Sequence, residues 1–449
     1  MKKLPIVVVV AAVVVIAVFV AMRTSGPGPS PVGPPGPGEA TSGVPEPHGA
    51  VVFDLQYRGF DTPDDPLSYR SYWGFGGPPE ANDPFVQAVR SRVKECTPVY
   101  HGSLPKTRWS VVELEDKKPV AFYFDANADG QLSDHEKFLP TKPSGSEFGY
   151  PHAFLTSDFL IQTEDNREIP FRVMLVGSSY GSEISYMWSP CCVLEGEAPL
   201  AGKPTKMILY ANGFSGSFTT FGSCSYALIP ARQKSEGYIS RDTLSSLLQH
   251  EGKFYHLKFD GVHEKGRTLR VVLEKDTTPT GQIAVEVKGQ DALQARLTSM
   301  SIDGTADPSI HFGLSNAQST LPAGQYKLSR GWLSYGTGKD APWRVDFDQG
   351  PGFDVTAGKT STIKLGKLAL SLRAVDEQER YRSDVKERTT FAKGTAIYLT
   401  PEIKGEASEV YMRFSQQETG SNRRADVKPH LAIAGPDGKQ IVSADLEYG

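Results

Sequence analysis

The chain has 449 residues and a formal net charge of −4, with 48 Lys and Arg set against 52 Asp and Glu. That length is too great for one small core and suits about two to four domains. Both signs of charge are scattered, so the sequence has no electrostatic footprint for nucleic acid, no charged tail and no RNA- or DNA-binding motif.

Lys2 and Lys3 precede LPIVVVVAAVVVIAVFVAM, an uncharged run from Leu4 to Met22. At about 1.5 Å per residue it is long enough to cross a roughly 30 Å hydrocarbon core. A cleaved signal peptide is the alternative, but its apolar core is usually about 7–15 residues long and ends at a small-x-small site. The run here is longer and lacks such a site. We therefore expect residues 1–23 to form an uncleaved signal anchor, with the two lysines holding the amino terminus in the cytoplasm and the remainder outside it. Cleavage would instead secrete the chain. Residues 24–48, TSGPGPSPVGPPGPGEATSGVPEPH, read as an extended Pro/Gly-rich spacer.

From about Ala50 the sequence is rich in short β-type runs, among them VVFDLQY, RWSVVEL, PVAFYF, IPFRVMLV, TKMILYA, FYHLKF, TLRVVLE, QIAVEV, STIKLGKLALSL, TAIYL, EVYMRF and PHLAIA. Gly, Pro, Asn and Asp separate them, which predicts a mainly β, multi-domain sandwich body with a few short helices. One helix is expected after Asp83 and Pro84, with Phe85, Val89 and Val93 on one face. A second is expected over Arg241–Glu251, stopped by Gly252. The expected domains are 49–250, a β-rich domain, then 251–375, a β-sandwich, and 376–449, with immunoglobulin-like strand spacing. LPAGQYKL, Leu321–Leu328, resembles the L-P-x-G-x-Y turn of prealbumin-like or carboxypeptidase-regulatory-like sandwiches. PDGK at 436–439 reads as a type I turn in a hairpin.

The four cysteines are Cys96, Cys191, Cys192 and Cys224. Outside the cytoplasm they can oxidise, and one of the adjacent pair is expected to bond to Cys96 or Cys224. No C-x-x-C occurs and the nine histidines are not at zinc-ligand spacings.

The most specific motif is DANADGQLSDHE, Asp125–Glu136. Asp125, Asn127 and Asp129 alternate, so a tight loop turns their oxygens inward together. Gly130 permits a left-handed turn. Gln131 would offer its backbone carbonyl, Ser133 would act directly or through water, and Glu136 would close the shell with two oxygens. Leu132 would point into the core. Calcium takes about six to eight hard oxygens, which this set can supply. The motif resembles the calcium loop of the EF-hand family at all twelve positions. The flanks differ: KPVAFYF before it reads as a strand, and the prolines of LPTKPSG after it forbid a long helix. The resemblance therefore covers the loop and not the helix pair, as in EF-hand-like loops of exported bacterial proteins. It implies a fixed Ca2+ site with Kd on the order of 10⁻⁴–10⁻³ M or somewhat tighter, and not a sensor. The alternative is a polar turn.

KPVAFYFDANADGQL from Lys118 aligns with KPTKMILYANGFSGSF from Lys203, reading as an internal repeat. Tyr210 and Ser215 replace the first and third ligands, so the second copy is expected to hold no ion.

Signals for catalysis are weaker. GSSYG, Gly177–Gly181, fits a nucleophile elbow with Ser179 exposed, but the flanking runs read more simply as a hairpin. Trp73, Trp188, Trp332 and Trp343 suit sugar stacking or, more simply, core packing. A membrane-anchored extracytoplasmic binding or scaffold protein is the reading preferred. Its partners would be the membrane and a cell-envelope protein or polysaccharide. An exported hydrolase or carbohydrate-active protein is the alternative.

Overall fold

The stretch RWSVVELEDKKPVAFYF illustrates how this chain makes sheet. Arg108–Glu115 and Lys118–Phe124 are antiparallel strands, joined so that Glu115 faces Lys118. The two residues between them, Asp116 and Lys117, have φ of 49° and 63°. Two successive left-handed residues make the turn whose twist matches that of the flanking strands. The same two-residue turn recurs at Ala201–Gly202 (φ 52° and 77°) and at Glu251–Gly252 (φ 49° and 76°).

The computed structural model describes residues 49–61, 75–76, 82–101, 108–141, 152–162, 168–180, 183–211, 217–232, 239–263, 267–288, 295–315, 317–335, 343–376, 397–417, 424–426, 430–434 and 439–445. The expected membrane span and spacer, residues 1–48, lie outside them, as do Trp73 and the turn at 436–438. Among the described residues no helix is long and apolar enough to cross a membrane. Among the described residues strand makes up 65% and helix 4%, so the fold is mainly β.

The chain divides into two compact units, one of Pro47–Pro279 with Asp303–Gly313, the other containing Thr280–Ile302 and Leu314–Gly449. In the first, eight antiparallel strands run in the order Asp242–Thr243, Ser225–Pro230, Lys203–Tyr210, Cys192–Leu200, Val51–Gly59, Thr268–Lys275, Lys253–His263 and Leu247–His250. This sheet runs across residue 250. A second sheet orders Phe75–Gly76, Cys96–His101, Arg108–Glu115, Lys118–Phe124 and Lys137–Phe138. Phe53, Leu55 and Leu209 of the first share one core with Val112, Phe122 and Phe124 of the second. Phenylalanine rings run through this core in a chain of contacts, Phe122–Phe154, Phe122–Phe124, Phe124–Phe159, Phe159–Phe171 and Phe171–Phe218, with centroids 5.0 to 6.3 Å apart.

The opposite face of the second sheet carries the helix Pro84–Arg90. Asp83 caps it by accepting from the Phe85 amide at 2.9 Å, and Pro84 stands in the first turn, as its sequence predicts. Phe85, Val86 and Val89 are buried against Val111, Ala121 and Tyr123, with Leu132 packed beside them.

The second expected helix does not form. Asp242–Thr243 and Leu247–His250 are short strands, and Leu247 faces His256 across a hairpin. Leu244, Leu247 and Leu248 are all buried, so pairing and burial override the local helical pattern. Gly252 completes a two-residue turn instead of a helix cap.

In the second unit, Gln318–Pro322, Thr280–Lys288 and Thr360–Gly366 form a three-stranded sheet with one parallel pair. The LPAGQYKL motif bends between two strands, and the buried Tyr326 hydroxyl donates to the Pro322 carbonyl at 3.0 Å.

Among the described residues no disulfide joins any of the four cysteines, contrary to the expected bridge. Neighbours on a strand point to opposite faces. Cys191 accordingly packs in one cluster with Ile208 and Tyr210, and Cys192 in another with Leu209 and Cys224. Extending the strand registers by one residue puts Ala211 between Cys192 and Cys224. Two strand spacings are about 9.6 Å, beyond the roughly 7 Å limit for a disulfide.

Two outcomes follow. Alkylation of the denatured, unreduced full chain labels all four cysteines; fewer labels would reveal a bridge that these positions do not allow. Replacing Lys117 with Gly at its left-handed position stabilises the first unit by about 0.5–1 kcal/mol. That raises its Tm by about 1–4 °C, read by calorimetry, whereas an unchanged or lower Tm contradicts the turn.

Candidate metal centre

The Asp125–Glu136 loop is closed by the strands on either side of it. Phe124 pairs with Ser110, and one step further the Asp125 amide donates to the Trp109 carbonyl at 3.1 Å. After the loop, Lys137 and Phe138 return to pair with Tyr123 and Phe122. Both ends of the loop are thus fixed to the Lys118–Phe124 strand.

Within it the short polar side chains fold the backbone around themselves. Asp125 accepts from the Asp129 amide through Oδ1 at 3.2 Å and from the Gly130 amide through Oδ2 at 3.1 Å. Asn127 Oδ1 accepts from the Asp129 amide at 3.0 Å, and Asp129 Oδ1 accepts from the Gln131 amide at 2.7 Å. Asn127 Nδ2 donates to Asp129 Oδ2 at 2.9 Å. These turns require left-handed backbone at Ala128 (φ 58°) and Gly130 (φ 71°). Gly fits there without strain, and Ala128 does so at some cost.

A 3-10 turn over Asp134–Glu136 carries Glu136 back to the start of the loop. Its Oε1 accepts from the Ala126 amide at 3.0 Å, and its Oε2 from the Ser133 amide and hydroxyl at 2.9 and 3.0 Å. Asp125 and Glu136 are each only 3% exposed. Asn127, Asp129, Gln131 and Ser133 lie at the exposed rim. Leu132 turns the other way and joins the helix cluster, and Gly130 faces Pro84 of that helix.

The structure therefore joins Asp125, Asn127 and Asp129 on one side of the loop, and Ser133 and Glu136 on the other. Gln131 is tied in through its amide. Among the described residues no three acidic, histidine or cysteine side chains already stand in a metal-holding group. The donor chemistry nonetheless suits a hard cation: the set is oxygen throughout, and each carboxylate oxygen bound to one or two N–H or O–H groups retains acceptor capacity. Burial pushes the Asp125 carboxyl above its ordinary value, the charges of Glu136 and Asp129 add to this, and the Gly130 and Asp129 amides oppose it.

Arg108 is the residue that motif reading misses. It is 3% exposed and stands across the strand pair from Ala126. Its guanidinium donates to the Ala126 carbonyl and, at 3.4 Å, to the Leu160 carbonyl, and lies 5.4 Å from the Phe159 ring centroid. Burial lowers its pKa, while the charges of Asp125 and Glu136 raise it. The only signal in the sequence was a charge at the start of the preceding strand, and a bulge between Glu113 and Leu114 shifts its partner by one residue.

The other candidates are simpler in structure. Ser179 lies in the strand Val173–Tyr180, paired antiparallel with Glu183–Pro190, so no strand-to-helix elbow surrounds it. Trp332 is half-buried beneath Arg344, whose guanidinium lies 4.2 Å from the ring centroid. Trp343 is half-buried within the strand Trp343–Asp348. In the aligned second copy Tyr210 is buried with Arg241 3.9 Å above its ring, and residues 212–216 lie outside the described set.

The raised Asp125 pKa carries a definite sign. The folded state holds that proton more tightly than an unfolded Asp with pKa about 3.9. The contribution of Asp125 to stability therefore falls as pH rises from the unfolded value through the folded one. In chelator, the wild type should lose stability relative to Asp125→Asn across that window, then run parallel to it near neutrality. A difference that is flat with pH, by denaturant titration, contradicts desolvation of this carboxyl. Set against known proteins, the chain matches no family model, no curated protein and no solved structure.

Proposed function

We propose that Asp125–Glu136 binds calcium and that the chain is a membrane-anchored, extracytoplasmic protein with a binding or structural role. The observation that carries the calcium reading is the pairing of two buried carboxylates, Asp125 and Glu136, across a loop whose amides are already turned inward. Asp125, Asn127 and Asp129 would hold the ion through side-chain oxygens, Gln131 through its carbonyl, Ser133 directly or through water, and Glu136 through both oxygens. The ion supplies positive charge to two desolvated carboxylates.

The role follows from where the loop sits. It joins the Lys118–Phe124 strand to its partner Lys137–Phe138, and Phe124 belongs to the main core of its unit. Binding would clamp that unit instead of opening a pair of helices, which favours a stiffened extracytoplasmic module over a sensor. The apolar run Leu4–Met22 and the Pro/Gly spacer support anchoring and display away from the membrane. A cell-envelope protein or polysaccharide is the partner class this location favours.

An ion that binds only the folded state stabilises it by about 2.7 kcal/mol at 100 Kd. For a unit of this size that is a Tm rise of about 5–11 °C. The full chain in detergent, melted in chelator and in calcium at about 100 Kd, on the order of 10–100 mM for the expected affinity, should show this rise, and Asp125→Ala should abolish it. Terbium offers a second readout, because Trp109 lies beside the loop and can sensitise its emission. Calcium should quench that emission by displacement. Identical melting in all three conditions would reduce the loop to a polar turn.

A further inference from the structure

The buried arginine beside the loop is unusual in a place that gathers negative charge. Arg108 lies opposite Ala126, is as buried as Asp125 and Glu136, and bridges the loop backbone to the Phe159–Gln162 strand through the Ala126 and Leu160 carbonyls. It makes no ion pair with either carboxylate among the described contacts, so it is not placed there as one half of a salt bridge. Its Nε has no hydrogen-bond partner among the described residues. A permanent charge is thus kept out of water with its hydrogen bonding incomplete, an arrangement that packing alone does not call for.

We infer that Arg108 is a resident counter-ion: its charge stands in for part of the ion's, and lets this unit stay folded when no calcium is bound. This inference rests on the calcium reading of the same loop. Asp125, Asp129 and Glu136 carry three negative charges and Arg108 one positive. The remaining two match a divalent cation. In the absence of the ion, Arg108 is the buried cation nearest in the strand pairing to the two desolvated carboxylates. An Arg suits the position better than a Lys because its planar fork reaches two carbonyls at once. Two cations that relieve the same carboxylates oppose each other by linkage, so Arg108 must weaken calcium binding while making the calcium-free fold more stable.

Arg108 is accordingly a positioning and charge-balancing residue, and its test separates charge from packing. The full chain in detergent is compared with Arg108→Gln and Arg108→Lys, reading Tm in chelator and calcium Kd by displacement of terbium emission. Arg108→Gln should melt lower in chelator and bind calcium about tenfold tighter, so that saturating calcium restores most of its lost Tm. Arg108→Lys keeps the charge and should bind calcium within about twofold of the wild type. If Arg108→Gln binds calcium no more tightly than the wild type, or if both variants change affinity alike, the inference is overturned and Arg108 is a packing residue. Should Arg108→Gln fold in neither buffer, the double variant Asp125→Asn/Arg108→Gln decides. Removing one charge of each sign should restore folding in chelator, and failure to do so overturns the inference. Failure of the calcium reading is seen separately, as absence of calcium-displaceable terbium emission from the wild type before any substitution is made.

Discussion

Two carboxylates with almost no access to water impose the local order of the first unit. Ionised oxygens removed from solvent must find donors or cations, and a loop of small residues supplies donors cheaply because its amides can be turned inward. Asp125 takes two amides, and Glu136 takes two amides and a hydroxyl. Meeting those demands fixes the left-handed residues Ala128 and Gly130, the 3-10 turn that returns Glu136, and the outward face that lodges Leu132 against the helix. The sheet beneath need only hold the two ends of the loop, and the Lys118–Phe124 strand does so with one partner on each side.

How much of this was legible depends on whether a signal is local. The strands were legible because their punctuation is: Gly, Pro, Asn and Asp mark where pairing stops, and runs such as PVAFYF contain few residues that favour anything else. Helix Pro84–Arg90 was legible from Asp83 and Pro84, whose preferences act within one turn. RDTLSSLLQHE was misread because its leucines fit a helical face equally well, and only the distant strand Lys253–His263 selects the extended form. The cysteine expectation failed for a similar reason. Sequence counts thiols, whereas strand alternation decides which way Cys191 and Cys192 point.

The loop divides along the same line. Its own turns could be read off DANADGQLSDHE, since short polar side chains and a glycine determine them nearly alone. Arg108 could not, because its relation to Ala126 passes through a hairpin register that includes a bulge between Glu113 and Leu114. The repeat occupies middle ground. Lys118–Phe124 and Lys203–Tyr210 both follow a two-residue left-handed turn and bury their last four residues, so they share a way of building a hairpin. At the end of that shared shape one copy places a buried carboxylate and the other a buried tyrosine under Arg241.

The placing of Val51–Gly59 has a consequence in time. This strand lies at the centre of the eight-stranded sheet, yet the partner nearest to it in sequence begins at Cys192, and the other runs from Thr268 to Lys275. During synthesis it leaves the ribosome long before either neighbour exists. The tight hairpins at Asp116–Lys117 and Ala201–Gly202 close over short distances and can form as they emerge, whereas the central strand must wait for loop closures that are slow and entropically demanding. Until then it is an unpaired run of alternating apolar residues, Phe53 and Leu55 among them, available to any other exposed edge. The order of the strands thus leaves the first segment of the body unpaired until Cys192–Leu200 is made, and open on its other side until Thr268–Lys275 follows.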